Sequence, residues 1–360
     1  MASPNVTSHL LDSSNFSTDA EDELFTVGDN GLSAEASSIV NAYVIVGRTM
    51  LSVVLVCGTF GNVMTIVVMQ TMRAAGQPTA CMSVYFTALA VSDQLFLLTG
   101  GLYYWASFMF DVNTRSVNDI ICKLLIFTGY CASMTSAWVL VAMTTHRTTS
   151  VMWPHLTGAL SSKRKPLIVV ICIVSFMAVL NAHELFAYSV SSVTVIPDNN
   201  GTQRVCHYAS HPDLSLRYFE YSIFTWVDMM LSSVLPFCLL FINNVLLVRK
   251  VFQSVRLARK MAAGGSSNHA SSREKKASSI TVMVTVTSMA FFMLTLPAIP
   301  MDYAYYAFFR TGDSADVARG KLGLSITTGL YYCNSAINFY LYCLSGSRFR
   351  KELKRCFGRG

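Results

Sequence analysis

Polar side chains inside long apolar stretches are the residues of this chain that could do chemistry. Asp93 is the strongest case, because a carboxylate in the middle of a membrane must find polar partners inside the protein. One interpretation is a polar network that holds helices together. The other is a site for a small cation, since hard ions prefer carboxylate and neutral oxygen ligands. The residues that could share the site are Asn62, Ser136, Asn334, Ser335 and Asn338.

Seven apolar stretches carry these residues, and each reaches the roughly 20 residues that a helix needs to cross about 30 Å of hydrocarbon. In lipid only helices or closed barrels satisfy every backbone amide, and these stretches are too long and continuous for barrel strands. The sequence therefore predicts an all-α membrane protein with a seven-transmembrane helix bundle. The predicted spans are Tyr43–Met69, Met82–Trp105, Leu124–Met143, Pro166–Tyr188, Tyr221–Val248, Ile280–Tyr306 and Leu322–Leu344.

Composition and charge agree with a membrane protein. Only 13% of the residues are charged and 52% are hydrophobic, whereas about a quarter of a soluble domain is charged. Most of the 27 Lys and Arg residues follow the odd-numbered spans, so the net charge of +7 reflects cytoplasmic loops rather than nucleic-acid binding. We therefore expect an extracellular amino terminus, with residues 1–40 a disordered, glycosylated tail and 41–345 the bundle. Residues 346–360 would form an amphipathic eighth helix and a cytoplasmic tail.

Glycosylation motifs and cysteines support this topology. The three sequons, at Asn5, Asn15 and Asn200, all fall on the predicted outer side. Cys122 and Cys206 are the two cysteines predicted outside, where an oxidising compartment lets them pair. The alternative is two free thiols. The sequence shows no metal-binding His/Cys spacing and no nucleophile motif, so we do not expect an enzyme.

The order and spacing of several motifs resemble those of rhodopsin-like (class A) G-protein-coupled receptors, most closely the neuropeptide-receptor branch. The resemblance covers nearly all of residues 40–356. Each motif is weak alone, but together and in this order they are highly specific. They are Gly61-Asn62, Leu89-Ala-x-x-Asp93, Arg147 with Val151 and Pro154, Leu235-Pro236-Phe237, Phe291 with Pro297, Asn334-Ser-Ala-Ile-Asn338-Phe-Tyr-Leu-Tyr342, and Phe349-Arg350.

The resemblance implies a cell-surface receptor of the plasma membrane that binds an extracellular ligand and activates heterotrimeric G proteins. It implies no cofactor beyond an allosteric sodium ion, which favours the cation interpretation of the Asp93 site. The implied sodium pocket comprises Asp93, Ser136, Asn334, Ser335 and Asn338. The implied activation switch comprises Arg147, Phe291, Pro297 and Tyr342.

Departures from the family pattern concern the switch. The acid that usually precedes the arginine is His146, and the acid often found at the start of the sixth span is Ala277. Arg147 therefore lacks both usual restraints, and we expect signalling without ligand. Three further family positions differ, with Thr295 for a Trp, Phe339 for a Pro and Asn244 for a Tyr.

The ligand is constrained by positions in the outer half of the bundle. Gly129 replaces the amine-binding Asp of aminergic receptors, and Tyr332 replaces the retinal-binding Lys. Aromatic faces mixed with carboxylates suit a cationic, partly aromatic ligand, and we expect a neuropeptide with a basic or amidated end. The expected contacts are Tyr103, Tyr104, Tyr130, Trp226, Asp228 and Asp302.

Other interpretations stay open. Glu184 is interpreted as lying in interfacial water, and Tyr305 as a residue of the aromatic belt at the membrane interface. The alternative function is a chemosensory receptor for small molecules, and a more distant one is a transporter or channel. Cys356, which follows the amphipathic run 349–355, is either palmitoylated or an ordinary reduced cysteine.

Overall fold

The computed structural model describes residues 33–74, 80–153, 164–194, 202–208, 223–262, 269–298, 300–301, 304–305 and 314–358. Within them, helices occupy all seven predicted spans, which we call the first to seventh spans. The first four are Ala34–Ala74, Ala80–Phe96 continued by Leu102–Phe110, Asp119–Met152, and Arg164–Leu180 with a short extension Glu184–Ala187. The last three are Thr225–Met229 continued by Leu235–Ala262, His269–Thr295, and Ser314–Ser345.

Five of the described helices, those of the first to fifth spans, are long and apolar enough to cross a membrane. The sixth contains a shorter apolar helix, Thr281–Thr295. The seventh has 32 residues, and at about 1.5 Å per residue it exceeds the thickness of the hydrocarbon layer. An eighth helix, Ser347–Cys356, follows it directly.

Two spans contain a turn of π-helix, in which one extra residue is inserted into the helical ladder. These turns are Leu97–Gly101 in the second span and Met230–Val234 in the fifth. The Trp138 indole donates a hydrogen bond to the Leu231 carbonyl in the second of them, at 2.8 Å. This bond joins the third span to the fifth at the level where the helix is irregular.

Several boundaries differ from the predicted ones for local reasons. The first helix begins at Ala34, ahead of the predicted Tyr43. The helix of the sixth span ends at Thr295, because Pro297 lacks an N–H and disfavours helical backbone in the residue before it. The fourth span turns at residues 181–183 before its short extension.

A β-hairpin that the sequence analysis did not predict covers part of the outer side. Strand β1, Tyr188–Thr194, pairs antiparallel with strand β2, Thr202–Tyr208, and places Val190 opposite Cys206. Both strands are rich in Val, Thr and Ser, and β-branched residues pack well on a pleated surface.

Close packing between the first and seventh spans forms the most extensive helix contact. Gly61 allows it, since a Cβ there would lie 2.9 Å from the Cβ of Phe339. The larger apolar core lies toward the cytoplasmic side and includes Leu89, Met143 and Tyr342. A smaller outer core includes Leu97 and Tyr332. The Asp93 site lies on the second span between these two levels.

Candidate functional site

The carboxylate of Asp93 lies at the centre of a buried polar cluster. Its side chain is 0% exposed. The Ser136 hydroxyl donates to Oδ1 at 2.7 Å, and the Asn338 amide donates to Oδ2 at 2.8 Å. Ser335 lies beside the same carboxylate. The structure thus brings together four of the five residues expected in the sodium pocket, while Asn334 makes no hydrogen bond to Asp93 in the described part of the chain.

Asn62 supports this cluster from the first span. Its amide donates to the Ser335 carbonyl at 3.1 Å, and the neighbouring Gly61 lets the two helices approach closely enough for this bond. The amide oxygens of Asn62 and Asn338 are buried without a hydrogen-bond partner among the described residues. Unpaired oxygens beside a carboxylate suit a small cation, so the residues present fit a sodium ion.

Aromatic rings line the outer half of the bundle between the second and seventh spans. Tyr103 and Tyr104 lie edge to face at 5.0 Å, and Tyr104 approaches Tyr332 at 6.0 Å. Phe96 stacks on Tyr332 at 4.7 Å. Tyr332 and Phe96 were not among the predicted ligand contacts. The number of aromatic residues in these two spans is the sequence feature that could have indicated them. Tyr130, on the third span, is 38% exposed.

A second outer feature involves Asp228 and its neighbours between the fourth and fifth spans. The Oδ1 atom of Asp228 is buried without a hydrogen-bond partner in the described part, and its charge interacts with that of Glu184. Trp226 is 58% exposed, and residues two apart in a helix point about 200° apart. The structure therefore does not bring Trp226 and Asp228 together. Asp302 lies outside the described residues.

Two interpretations from the amino-acid sequence are wrong. Glu184 was placed in interfacial water and Tyr305 in the aromatic belt, but Glu184 is 4% exposed and Tyr305 is 6% exposed. Glu184 is buried because the short helix that follows the turn at residues 181–183 packs against the third span. No pattern in the amino-acid sequence indicates that turn.

The hairpin is tied to the outer end of the third span. Cys122 and Cys206 form a disulfide. The Cys206 amide donates to the Ser116 hydroxyl at 3.1 Å, and the Val190 amide donates to the Asp119 carboxylate at 2.6 Å. Both strands are thus anchored beside the start of this span. The sequons at Asn5, Asn15 and Asn200 lie outside the described residues.

At the cytoplasmic end of the third span, Arg147 contacts the neutral residue Thr281. Arg147 Nε donates to the Thr281 hydroxyl of the sixth span at 3.2 Å. His146 instead lies against the Tyr85 ring, with centroids 5.7 Å apart. Ala277 lies in the helix of the sixth span, one turn before Thr281. Sequence reasoning missed Thr281 as a partner of Arg147.

Two further switch residues, Tyr342 and Phe291, lie in the core, whereas Pro297 is half-buried. Tyr342 is 0% exposed and packs edge to face against Phe86 at 4.9 Å and Phe349 at 5.7 Å. Phe291 is 5% exposed and lies 5.4 Å from Phe237 of the fifth span. These contacts link the sixth and seventh spans to their neighbours through aromatic rings.

The eighth helix is anchored at its start and exposed at its end. Phe349 is 1% exposed, whereas the Cys356 thiol is exposed. Gly346 permits the sharp turn between the helices, since a Cβ there would lie 2.7 Å from the Tyr342 carbonyl oxygen.

Comparison with known proteins gives the same architecture. The profile described as 7 transmembrane receptor (rhodopsin family) matches residues 61–342. The chain is 23% identical to growth hormone secretagogue receptor type 1 of Mus musculus over 332 residues, which cover 92% of this chain and 86% of that protein. It is 24% identical to purinoceptor 4 of Homo sapiens over 288 residues, covering 79% and 71% of the two chains. The purinoceptor 4 of Xenopus laevis is 26% identical, with 77% of this chain and 48% of that protein covered.

Proposed function

Because the chain belongs to the rhodopsin family of seven-transmembrane receptors, we propose that its extracellular ligand is a peptide with a basic or amidated end. The protein is a multi-pass membrane receptor that responds to an extracellular ligand and acts through a G protein. The peptide class rests on the chemistry of the outer half of the bundle.

One observation carries the proposal. Asp228 keeps a buried oxygen without a hydrogen-bond partner among the described residues, and a second carboxylate, Glu184, lies near it. Two carboxylates away from bulk water repel each other, and a cationic ligand group would offset that repulsion. Aromatic rings at Tyr103 and Tyr104 would receive an aromatic or amidated neighbour of that cation.

The site does not fit a biogenic amine bound in the aminergic manner. Gly129 offers no carboxylate to pair with an amine, and a Cβ there would lie 3.3 Å from the Thr99 hydroxyl, so a larger side chain would require Thr99 to shift by a few tenths of an ångström. This contact supports the interpretation drawn from the sequence.

A nucleotide is the second candidate ligand, favoured by two cationic side chains. Lys321 in the seventh span is 5% exposed, and the Arg115 guanidinium lies 3.9 Å from the centroid of the Tyr103 ring. A buried Lys and an Arg stacked on an aromatic ring could hold phosphate and base. Two of the relatives are named purinoceptors. The carboxylates between the fourth and fifth spans favour the cationic ligand over this alternative.

Asp93, Ser136, Ser335 and Asn338 would hold an allosteric sodium ion. The support is the buried carboxylate with two unpaired amide oxygens nearby. Bound there, the ion would offset the carboxylate charge and favour the conformation in which the helices pack closely around it.

The signalling step would be an outward swing of the sixth span about Pro297. The helix already breaks at that proline, and residues at the end of a helical element can absorb large backbone changes. The movement would separate Thr281 from Arg147 and open a cleft for the carboxyl-terminal helix of a Gα subunit. Phe291 and Tyr342 would repack as the sixth span leaves the core.

The test is a screen of the receptor expressed in cells, with calcium and cyclic-AMP readouts. The panel contains amidated basic peptides, nucleotides and small neutral odorants. We expect a response to a basic peptide that Asp228→Asn weakens at least tenfold at matched surface expression. Glu35→Gln is the matched control, because Glu35 is exposed at the outer end of the first span. A receptor that responds only to nucleotides contradicts the peptide class.

A further inference from the structure

Several hydrogen-bond acceptors of the fourth and fifth spans lie beside the third span, and we call this group of side chains the recess. Asn181 is 0% exposed, and its amide nitrogen donates to the Met177 carbonyl at 2.8 Å and to the Met134 sulfur at 3.4 Å. Its amide oxygen is buried without a hydrogen-bond partner in the described part. A buried acceptor left in this way is costly, so a hydrogen-bond donor that reached it would be stabilised.

Glu184 faces the same side of the third span. Its charge interacts with the thiol of Cys131, and Cys131 and Met134 lie one helical turn apart on one face. Asn181 and Glu184 therefore approach this face together. The Glu184 amide also donates to the Asn181 carbonyl at 3.1 Å, so one tight turn positions both side chains.

Asp228 approaches the recess from the fifth span. It is partly exposed while Glu184 is almost fully buried, which places Asp228 at the mouth and Glu184 deeper. The charges of both carboxylates interact, and His183 also contributes.

His183 lies beside Glu184 in the same turn. Its Nδ1 lies 3.0 Å from the Leu180 carbonyl, which can only accept, so this nitrogen carries the hydrogen. Its Nε2 lies 3.4 Å from Glu184 Oε1, so a protonated His183 forms an ion pair with this carboxylate. A neutral His183 leaves Glu184 without this counter-ion, and a cationic group from a ligand would take its place.

We propose that Asn181, Glu184 and Asp228 bind the guanidinium or ammonium group of the ligand. The inference rests on the proposed function, because it identifies where the basic end of the peptide binds. A guanidinium is favoured over an ammonium, since its planar set of five N–H donors matches several acceptors that face one space. Glu184, with Asp228 in front of it, takes two parallel hydrogen bonds from the fork. Asn181 takes the remaining donor through its amide oxygen.

The group is an organic cation rather than a metal ion. Among the residues that the structure describes, no three His, Cys, Asp or Glu side chains are arranged to hold a metal. A guanidinium spreads its charge and its donors over a plane, which suits acceptors contributed by two different spans.

The experiment uses the purified full-length receptor and two small probes. L-arginine amide carries the guanidinium, and L-citrulline amide has the same shape with a neutral urea group. We expect L-arginine amide to raise the melting temperature in a saturable manner at about millimolar concentration, as a ligand of this size allows. L-citrulline amide should have at least tenfold lower affinity.

Three variants locate the site. Glu184→Gln and Asp228→Asn should each weaken binding of L-arginine amide at least tenfold, and Glu35→Gln should leave it unchanged because that acid is exposed and bonded to Arg319. Equal stabilisation of the native receptor by the two probes overturns the proposal, even if neither recess variant folds. Full affinity in Glu184→Gln overturns it as well, as does stabilisation by calcium or zinc salts without any by L-arginine amide.

The outcomes separate this proposal from the proposed function. If the receptor responds to a basic peptide in cells but does not bind L-arginine amide when purified, the cation site in the recess is wrong and the peptide class stands. If the receptor binds L-arginine amide through Glu184 but responds only to nucleotides, the peptide class is wrong and the cation site in the recess stands.

Discussion

Asp93 shows how a single residue can carry a state-dependent interaction. A carboxylate at the centre of a bilayer costs about 2.5–3.5 kcal/mol on insertion scales. Hydrogen bonds from Ser136 and Asn338 offset part of that cost. The unpaired amide oxygens of Asn62 and Asn338 are the remaining acceptors of the cluster, and a sodium ion would satisfy them.

The first prediction follows from this balance. Replacing sodium by choline should lower the melting temperature of the purified native receptor and leave Asp93→Asn unaffected. With a dissociation constant about tenfold below the sodium concentration, binding contributes about 1.4 kcal/mol. The matched control is Asp316→Asn, which removes a carboxylate from the exposed outer end of the seventh span. A sodium effect that persists in Asp93→Asn would make Asp93 a structural residue only.

The second prediction concerns Arg147. The side chain lies at the cytoplasmic end of the third span and its bond to the sixth span goes to a neutral hydroxyl, so it can reach an entering G protein when that span moves. Arg147→Ala should reach the cell surface and reduce G-protein activation at least tenfold. Lys354→Ala is the control, because Lys354 is exposed on the eighth helix. Native-like signalling by Arg147→Ala would remove this residue from the switch.

For individual residues, the sequence correctly predicts those contacts that follow from the spacing of the motifs along the helices. Asp93, Ser136 and Asn338 meet because regular helical spacing connects them to their motifs. Glu184 and Thr281 were missed for different reasons. Glu184 is buried by a turn that follows no motif, and Thr281 contacts Arg147 only because two helices pack with a particular rotation.

Irregular turns within the helices limit how far regular helical spacing can predict which residues share a face. Each π turn adds one residue and rotates the helix beyond it by about 100°. The turn at Leu97–Gly101 lies between Asp93 and the outer tyrosines, and the turn at Met230–Val234 lies between Asp228 and Pro236. Helical spacing carried across either turn is shifted by one position. The predicted pocket also grouped Trp226 with Asp228, although the helix directs them to different sides.

The third prediction tests the contact between the first and seventh spans. A side chain at position 61 would overlap Phe339, so Gly61→Leu should overpack this contact and destabilise the receptor by about 1–3 kcal/mol. Thermal unfolding of the purified protein measures the change. Val56→Leu, at a position that is 71% exposed, should have almost no effect. An unchanged melting temperature for Gly61→Leu would show that the helices can separate at no cost.

The fourth prediction concerns the eighth helix. Cys356 is exposed at the end of a basic amphipathic helix, where an acyl chain would provide a second membrane signal beside the attraction of Lys and Arg to anionic lipids. Acyl-exchange labelling in cells should detect a modified cysteine that disappears in Cys356→Ser and persists in Cys81→Ser. Identical labelling of the native receptor and Cys356→Ser would leave Cys356 a reduced thiol.

The whole molecule is an equilibrium between conformations, and its position depends on small differences in free energy. In the structure a neutral hydroxyl holds Arg147, and the like charge of Arg348 is close enough to oppose it. His146 packs on Tyr85 and offers no negative charge. The hydrogen bond from Arg147 to Thr281 therefore has less electrostatic support than a bond to a carboxylate would have, although burial would offset much of such a pair.

The last prediction is that the receptor signals without ligand. A loss of about 1.4 kcal/mol in the inactive state raises a small active population roughly tenfold. His146→Asp should lower ligand-free signalling toward background, because the new carboxylate restores a charge beside Arg147. His146→Asn is the matched control, since it has the same shape as Asp without its charge and should remain as active as the native receptor. The measurement is G-protein activation at equal surface expression. A silent native receptor, with no difference between the two variants, would overturn the idea that Arg147 is weakly restrained.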